Sequence, residues 1–159
     1  MKVLLPVDSS HCSIIAVETV FSRAWKEDTE FLILCVDQPV YYEYAVPPSA
    51  ACVTELSKAR EEHQRALHTL VADTAKKLSE KLGCPAQGKV SEGAVAETIL
   101  RTAREWNADL IVIGSHSRRG LERLFLGSVA EEVARKAECS VEIVRSRKDA
   151  PCHHNPVII

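Results

Sequence analysis

No stretch of the 159-residue chain holds the roughly 18 uninterrupted apolar side chains that a membrane span requires. The start, Met1-Lys2-Val3-Leu4-Leu5-Pro6-Val7-Asp8, meets an acid too early for a secretory leader, so a cytoplasmic location is expected. An excess of either charge is missing too. Twenty Lys and Arg against 22 Asp and Glu give a net charge of −2, which argues against a protein that coats nucleic acid through a broad basic face. The six cysteines, Cys12, Cys35, Cys52, Cys84, Cys139 and Cys152, contain no C-x-x-C pair. A chain of this length buries a core without covalent staples, so the thiols are expected reduced, with Cys35 and Cys139 as small core residues. The dinucleotide fingerprint G-x-G-x-x-G is absent, as are internal repeats and low-complexity segments.

What is present is an alternation of short β-branched runs with longer helical ones. Lys2-Val3-Leu4-Leu5-Pro6-Val7, Phe31-Leu32-Ile33-Leu34-Cys35-Val36 and Leu110-Ile111-Val112-Ile113 are apolar on both faces, the mark of strands covered from both sides in a parallel sheet. Val141-Glu142-Ile143-Val144-Arg145 alternates instead and reads as an edge strand, while residues 87–91 form a weaker candidate. Helical stripes follow. They comprise Ile14, Ile15, Val17, Val20, Phe21 and Ala24 after the Ser9-Ser10 start signal, then Leu67, Leu70, Val71, Thr74, Leu78 and Leu82 in a long charged helix expected to begin near Thr54 and to stop at Gly83. Val95, Ile99, Leu100, Ala103 and Trp106 mark a third helix, and Val129, Val133, Ala134 and Ala137 a fourth. The order β-α-β-α-β-α-β-α-β predicts one α/β domain over residues 1–146, an open, mostly parallel sheet with helices on both faces, and a fraying tail over 147–159. Residues 37–53 carry Pro39, Pro47, Pro48, Tyr41, Tyr42 and Tyr44 without periodicity, as a flap over a ligand or a cover for the sheet edge.

Open α/β sheets bind ligands at the carboxyl ends of their strands. Asp8 follows the first apolar run, Asp37 the second, and Gly114 the fourth strand. Gly114-Ser115-His116-Ser117-Arg118-Arg119-Gly120-Leu121-Glu122-Arg123-Leu124-Phe125-Leu126-Gly127-Ser128 leads into a helix, and Ser128-Val129-Ala130-Glu131 fits the S-x-x-E capping box with Ser128 as N-cap. A helix start is a natural phosphate site, so Ser128 caps its helix, meets a phosphate, or does both. Arg118, Arg119 and Arg123 would pair with phosphate oxygens or face water, and His116 is placed for hydrogen bonding rather than as a catalytic base. Gly83-Cys84-Pro85-Ala86-Gln87-Gly88-Lys89-Val90 imitates G-x-x-x-x-G-K, but it follows a helix and ends in Val90 where Mg²⁺ coordination needs Ser or Thr. His63 and His68, five apart, do not share a helical face, and no metal site is expected.

The opening Val3-Leu4-Leu5-Pro6-Val7-Asp8-Ser9-Ser10 and the run from Gly114 to Ser128 together resemble the universal stress proteins, whose nucleotide loop reads G-x-x-G-x9-G-[ST] and is followed by a helix and a closing V-x-I-V strand. The resemblance spans residues 2–145. It implies a five-stranded parallel sheet of order 3-2-1-4-5, homodimers pairing the last strands, here Val141 to Arg145, and in one branch ATP binding, with or without Mg²⁺. Carried over position by position, Asp8 matches the aspartate at the adenosine end, Val36 the residue whose backbone meets adenine, Gly114 the first loop glycine, and Gly127 and Ser128 the pair near the phosphates. Pro6, Val7, Ile113, Ser115, Val129 and Ala130 would line the same pocket. Ser117 stands where the second loop glycine belongs; if that position needs φ > 0, serine costs on the order of 1 kcal/mol there.

The leading expectation is therefore an ATP-binding, homodimeric stress-response switch, with an unknown protein partner, in which at most slow ATP hydrolysis occurs. No general base or metal set is legible to support more. A dimeric interaction module without nucleotide is the alternative that Ser117 favours, and a nucleotide-transferring enzyme of the wider superfamily is a weaker third.

Overall fold

The computed structural model describes residues 1–38, 50–115 and 126–145, with the side chains of 50 and 51 left aside. In chain order the elements are β1 (Lys2–Pro6), α1 (His11–Phe21), β2 (Glu30–Asp37), α2 (Ala50–Leu82), β3 (Ala86–Glu92), α3 (Val95–Trp106), β4 (Leu110–Gly114), α4 (Ser128–Lys136) and β5 (Ser140–Val144). All strand pairings are parallel and the order is β3-β2-β1-β4-β5, which is the predicted sheet.

The double-faced apolar runs fold as they do because successive side chains leave opposite faces of a strand. Val3, Leu5, Phe31, Ile33 and Cys35 join Ala16 and Val20 of α1 and Leu67, Val71, Ala75 and Leu78 of α2 in one buried layer. Leu4, Leu32, Leu34, Ile111 and Ile113 meet Ala96, Ile99, Leu100 and Ala103 of α3 and Ala130 and Val133 of α4 in the other. A fully buried leucine such as Leu78 contributes roughly 2 kcal/mol of transfer free energy. Cys35 and Cys139 take the core or near-core places expected of them. Burial pushes the Cys139 thiol above its ordinary range, helped by Asp109 and Glu138.

Helix α2 begins at Ala50, one turn before the expected Thr54. Its stripe starts only at Leu67; Val53 and Leu56, on the preceding turns, are 47% and 41% exposed. The P-loop imitation dissolves into ordinary structure, because Gly83 ends α2 at φ +67° and Gly88 lies in β3 against Val71. Among the described residues no helix is long and apolar enough to cross a membrane.

Strand β1 is forked at its carboxyl end. Its backbone alternates between neighbours: Met1 O accepts from Glu30 and Val7 N–H donates to Leu34 O on the β2 side, while Lys2 exchanges bonds with Asp109 on the β4 side. By that alternation the amide of residue 6 faces β4, and proline has none to donate. The ladder to β2 accordingly runs from Lys2↔Glu30 to Pro6↔Leu34, whereas the ladder to β4 holds only Val3↔Leu110 and Leu4↔Ile111.

Candidate functional site

The fork opens at the point where successive connections leave β1 in opposite directions, where doubly wound sheets hold ligands. A cleft of about 360 Å³ lies there. Ten of the twelve residues assigned from the sequence line it: Pro6, Val7, Asp8, Val36, Ile113, Gly114, Ser115, Gly127, Val129 and Ala130. Ser128 is exposed and does not line it. Ser117 lies outside the described residues, as do His116, Arg118, Arg119, Arg123, the tyrosines and the tail.

Two helix starts border the cleft. At α1, Ser10 is the N-cap; its Oγ accepts from the Ser13 N–H at 3.2 Å. Asp8 Oδ1 in turn accepts from the Ser10 amide at 3.0 Å and from the Ser10 hydroxyl at 2.5 Å, while Ser13 Oγ takes the Asp8 N–H at 3.0 Å. This start is closed by its own side chains, and Asp8 keeps only Oδ2 clear of Ser10.

At α4 the expected capping box does not form. The N-cap is Gly127, with no side-chain cap bond, and Ser128 is the first helical residue rather than the cap. The physical reason is one residue of register. The Gly127 N–H is tied back to Ser115 O at 2.8 Å and its carbonyl takes the Glu131 N–H at 2.9 Å, so the chain already turns helical at Ser128. First-turn N–H groups have no intrahelical partner, and here two first-turn residues, Val129 and Ala130, line the cleft. Helix α3 also starts without a side-chain cap, at Ala94, but directly after Glu92 and beside Asp37, whose carbonyl takes the Gly93 N–H. That acidic setting disfavours an anion.

Gly114 has a structural reason to be glycine. A Cβ there would stand 2.6 Å from Cys12 O and 2.7 Å from Cys12 C, so the first turn of α1 rests directly on the end of β4. The same contact draws both helix starts to one cleft.

The other end of the cleft was largely missed by sequence reasoning. Asp37, with its side chain only 2% exposed, is met from α2 by Arg60 at 3.0 Å, His63 Nε2 at 3.2 Å and Gln64 Nε2 at 2.5 Å. Arg60 and Gln64 also reach Glu92 of β3, at 2.6 and 3.3 Å. Asp37, His63, Leu67 and Gln38 line the cleft from this side and Val95 and Ile99 from α3, giving a slot with apolar walls and a polar rim. The position of Asp37 at a strand end was a signal; its pairing with a helix 26 residues on was not. Among the described residues no group of three or more His, Cys, Asp or Glu side chains is placed to hold a metal ion.

Comparison with known proteins agrees with this architecture. The universal stress protein family profile matches residues 1–145. A universal stress protein of Methanocaldococcus jannaschii is 35% identical over 148 residues, covering 92% of this chain and 83% of that one. The structure of the universal stress protein UspA from Lactobacillus plantarum superposes with a TM-score of 0.70 at 21% identity, over 91% of this chain and 97% of the other. A universal stress protein family member from Arabidopsis thaliana, solved with AMP bound, gives a TM-score of 0.66 at 19% identity over 94% of each chain. The chain is a member of the universal stress protein family.

Proposed function

We propose that the protein binds an adenine mononucleotide, ATP in the leading form of this reading, in the cleft at the end of β1, and that occupancy switches its readiness for a protein partner in a stress response. The observation that carries the reading is the uncapped start of α4 at one end of a cleft whose other end is an apolar slot. A planar base fits the slot between α2 and α3, and phosphates complete the first turn of α4 as a cap would. The AMP bound by the Arabidopsis relative supports the same class of ligand. Any Mg²⁺ would be carried chiefly by the phosphates, given the described side chains. Binding alone is enough for a switch, because a ligand shifts an equilibrium by its differential affinity for two states.

We further propose a homodimer through β5, an edge strand that among the described residues pairs only with β4. Arg23, just past the end of α1, grips Glu142 of this strand through both terminal guanidinium nitrogens, and that carboxylate raises the Arg23 pKa further.

Mass spectrometry of nucleotide released from the purified protein, followed by ATP titration of wild type and Gly127→Trp, tests the switch. Saturable binding that the indole abolishes is expected. No released nucleotide and no binding at millimolar ATP would leave the interaction module without nucleotide, the reading that Ser117 favours.

A further inference from the structure

Among the described residues two strands have a single neighbour, β5 and β3, and with β5 assigned to a second copy the edge of β3 stands open. We infer that this edge receives an extended peptide of a partner protein as a further strand, one that carries an acidic side chain two residues from an apolar one. The surface shares no lining residue with the cleft, so its use does not depend on a nucleotide.

The ladder fixes which backbone groups are free. Phe31 N–H donates to Pro85 O and Gly93 N–H donates to Asp37 O, so the odd-numbered residues of β3 turn their backbones toward β2. Ala86, Gly88, Val90 and Glu92 turn theirs outward, and no backbone bond to them occurs on that side among the described residues. Gly88, exposed in the middle of the edge, has no side chain to screen it. Such a row of unpaired donors and acceptors is a template for another strand.

The side chains say what kind of strand fits. Ala86 and Val90 pack against the layer of α1 and α2. Gln87, Lys89 and Ser91 take the opposite face, in register with Leu32, Leu34 and Val36, yet no residue of β3 joins the buried layer under α3. A recess of about 360 Å³ lies there instead, lined by Leu32, Gln87 and Lys89 from the sheet and by Thr102, Glu105 and Trp106 from α3. Leu32 and the half-buried Trp106 suit an apolar side chain beside Gln87. Of the nearby charges, Glu105 is met by Arg101 at 3.7 Å and Glu92 by Arg60 at 2.6 Å, while Lys89 has no ion pair among the described residues. An acid beside Lys89 balances it. The same lysine disfavours a second copy, because two β3 strands paired antiparallel over their full length set Lys89 directly against its own counterpart.

The probe is the blocked heptapeptide Thr-Leu-Thr-Glu-Thr-Leu-Thr, whose symmetry brings glutamate beside Lys89 and a leucine beside Gln87 in either strand direction. Titrated into the isotope-labelled full chain, it is expected to shift the amide resonances of residues 86–92 and the Trp106 indole, and to leave those of Asp8 and Gly127 in place. Lysine in place of its glutamate should weaken binding about fivefold, and Lys89→Glu, a change at an exposed site, should reverse the order of the two peptides. N-methylation separates strand addition from side-chain contact alone. Methyl groups on the threonine amides abolish binding if the added strand is antiparallel, and on the leucine and glutamate amides if it is parallel; the other set should leave affinity within about twofold. No shift at millimolar peptide, shifts in the cleft instead, an unchanged order of peptides in Lys89→Glu, or equal effects of the two methylated sets overturns the inference. Slow amide exchange at Gly88 and Val90 in the free chain would place a second copy on this edge and overturn it as well.

Discussion

Helices α1 and α4 both begin at the same cleft and begin differently. The start of α1 is filled by its own chain, with Ser10 on the Ser13 amide and Asp8 bracing Ser10. The start of α4 has glycine at the N-cap and, among the described residues, no side-chain cap bond, with Glu131 in its first turn. One end is thus stable as it stands and carries an acid, while the other retains hydrogen-bond donors and the positive end of a helix dipole. The difference gives the cleft a direction. On the reading proposed above, a phosphate would go to α4 and the rest of the ligand would run past Asp8 toward β2.

That contrast can be attacked from the contact that joins the two starts. Gly114→Val drives a side chain into the Cys12 backbone, and a loss of about 3 kcal/mol in urea denaturation is expected, together with loss of ATP binding. An unchanged midpoint would mean that α1 does not rest on β4 as described. Ser128→Asp adds an acid to the first turn of α4. Stability should rise by a few tenths of a kcal/mol through the helix dipole while ATP affinity falls about tenfold, and two readouts of opposite sign are what a phosphate site produces. If both move together, the first turn of α4 is not where phosphate binds.

Smaller effects sharpen the comparison. Ser10→Ala removes a working cap and should cost about 1 kcal/mol in thermal or chemical denaturation. Ser128→Ala should cost under about 0.3 kcal/mol, since that hydroxyl caps nothing. Equal losses at the two serines would restore the capping box that the structure replaces with Gly127.

How much of this was legible in the sequence depended on whether the signal was local. Phe31 to Val36 and Leu110 to Ile113 announced central strands because both their faces are buried, a property of composition alone. The strand order came from the resemblance to a known family, not from the pattern. The edge strand β3 was faint because its outward residues Gln87 and Lys89 stay exposed. The start of α2 was misplaced because its first turns bury nothing and leave no stripe to count. Ser128 was assigned as a cap because S-x-x-E says nothing of which residue first turns helical; the bond from Gly127 to Ser115 decides that, and it is tertiary. His63 was set aside for its spacing to His68, when its partner is Asp37 across the layer boundary between helix and sheet.

Pro6 carries a further consequence. Its missing amide leaves β1 and β4 unzipped at the mouth of the cleft, so an incoming ligand parts no ladder bonds between them and waits for no strand to separate. On that side the sheet offers an opening already made, so a bound molecule would displace no strand pairing there. A single imino acid, placed on the side of β1 that faces β4, thus shapes the edge of the cleft by the one bond it cannot donate.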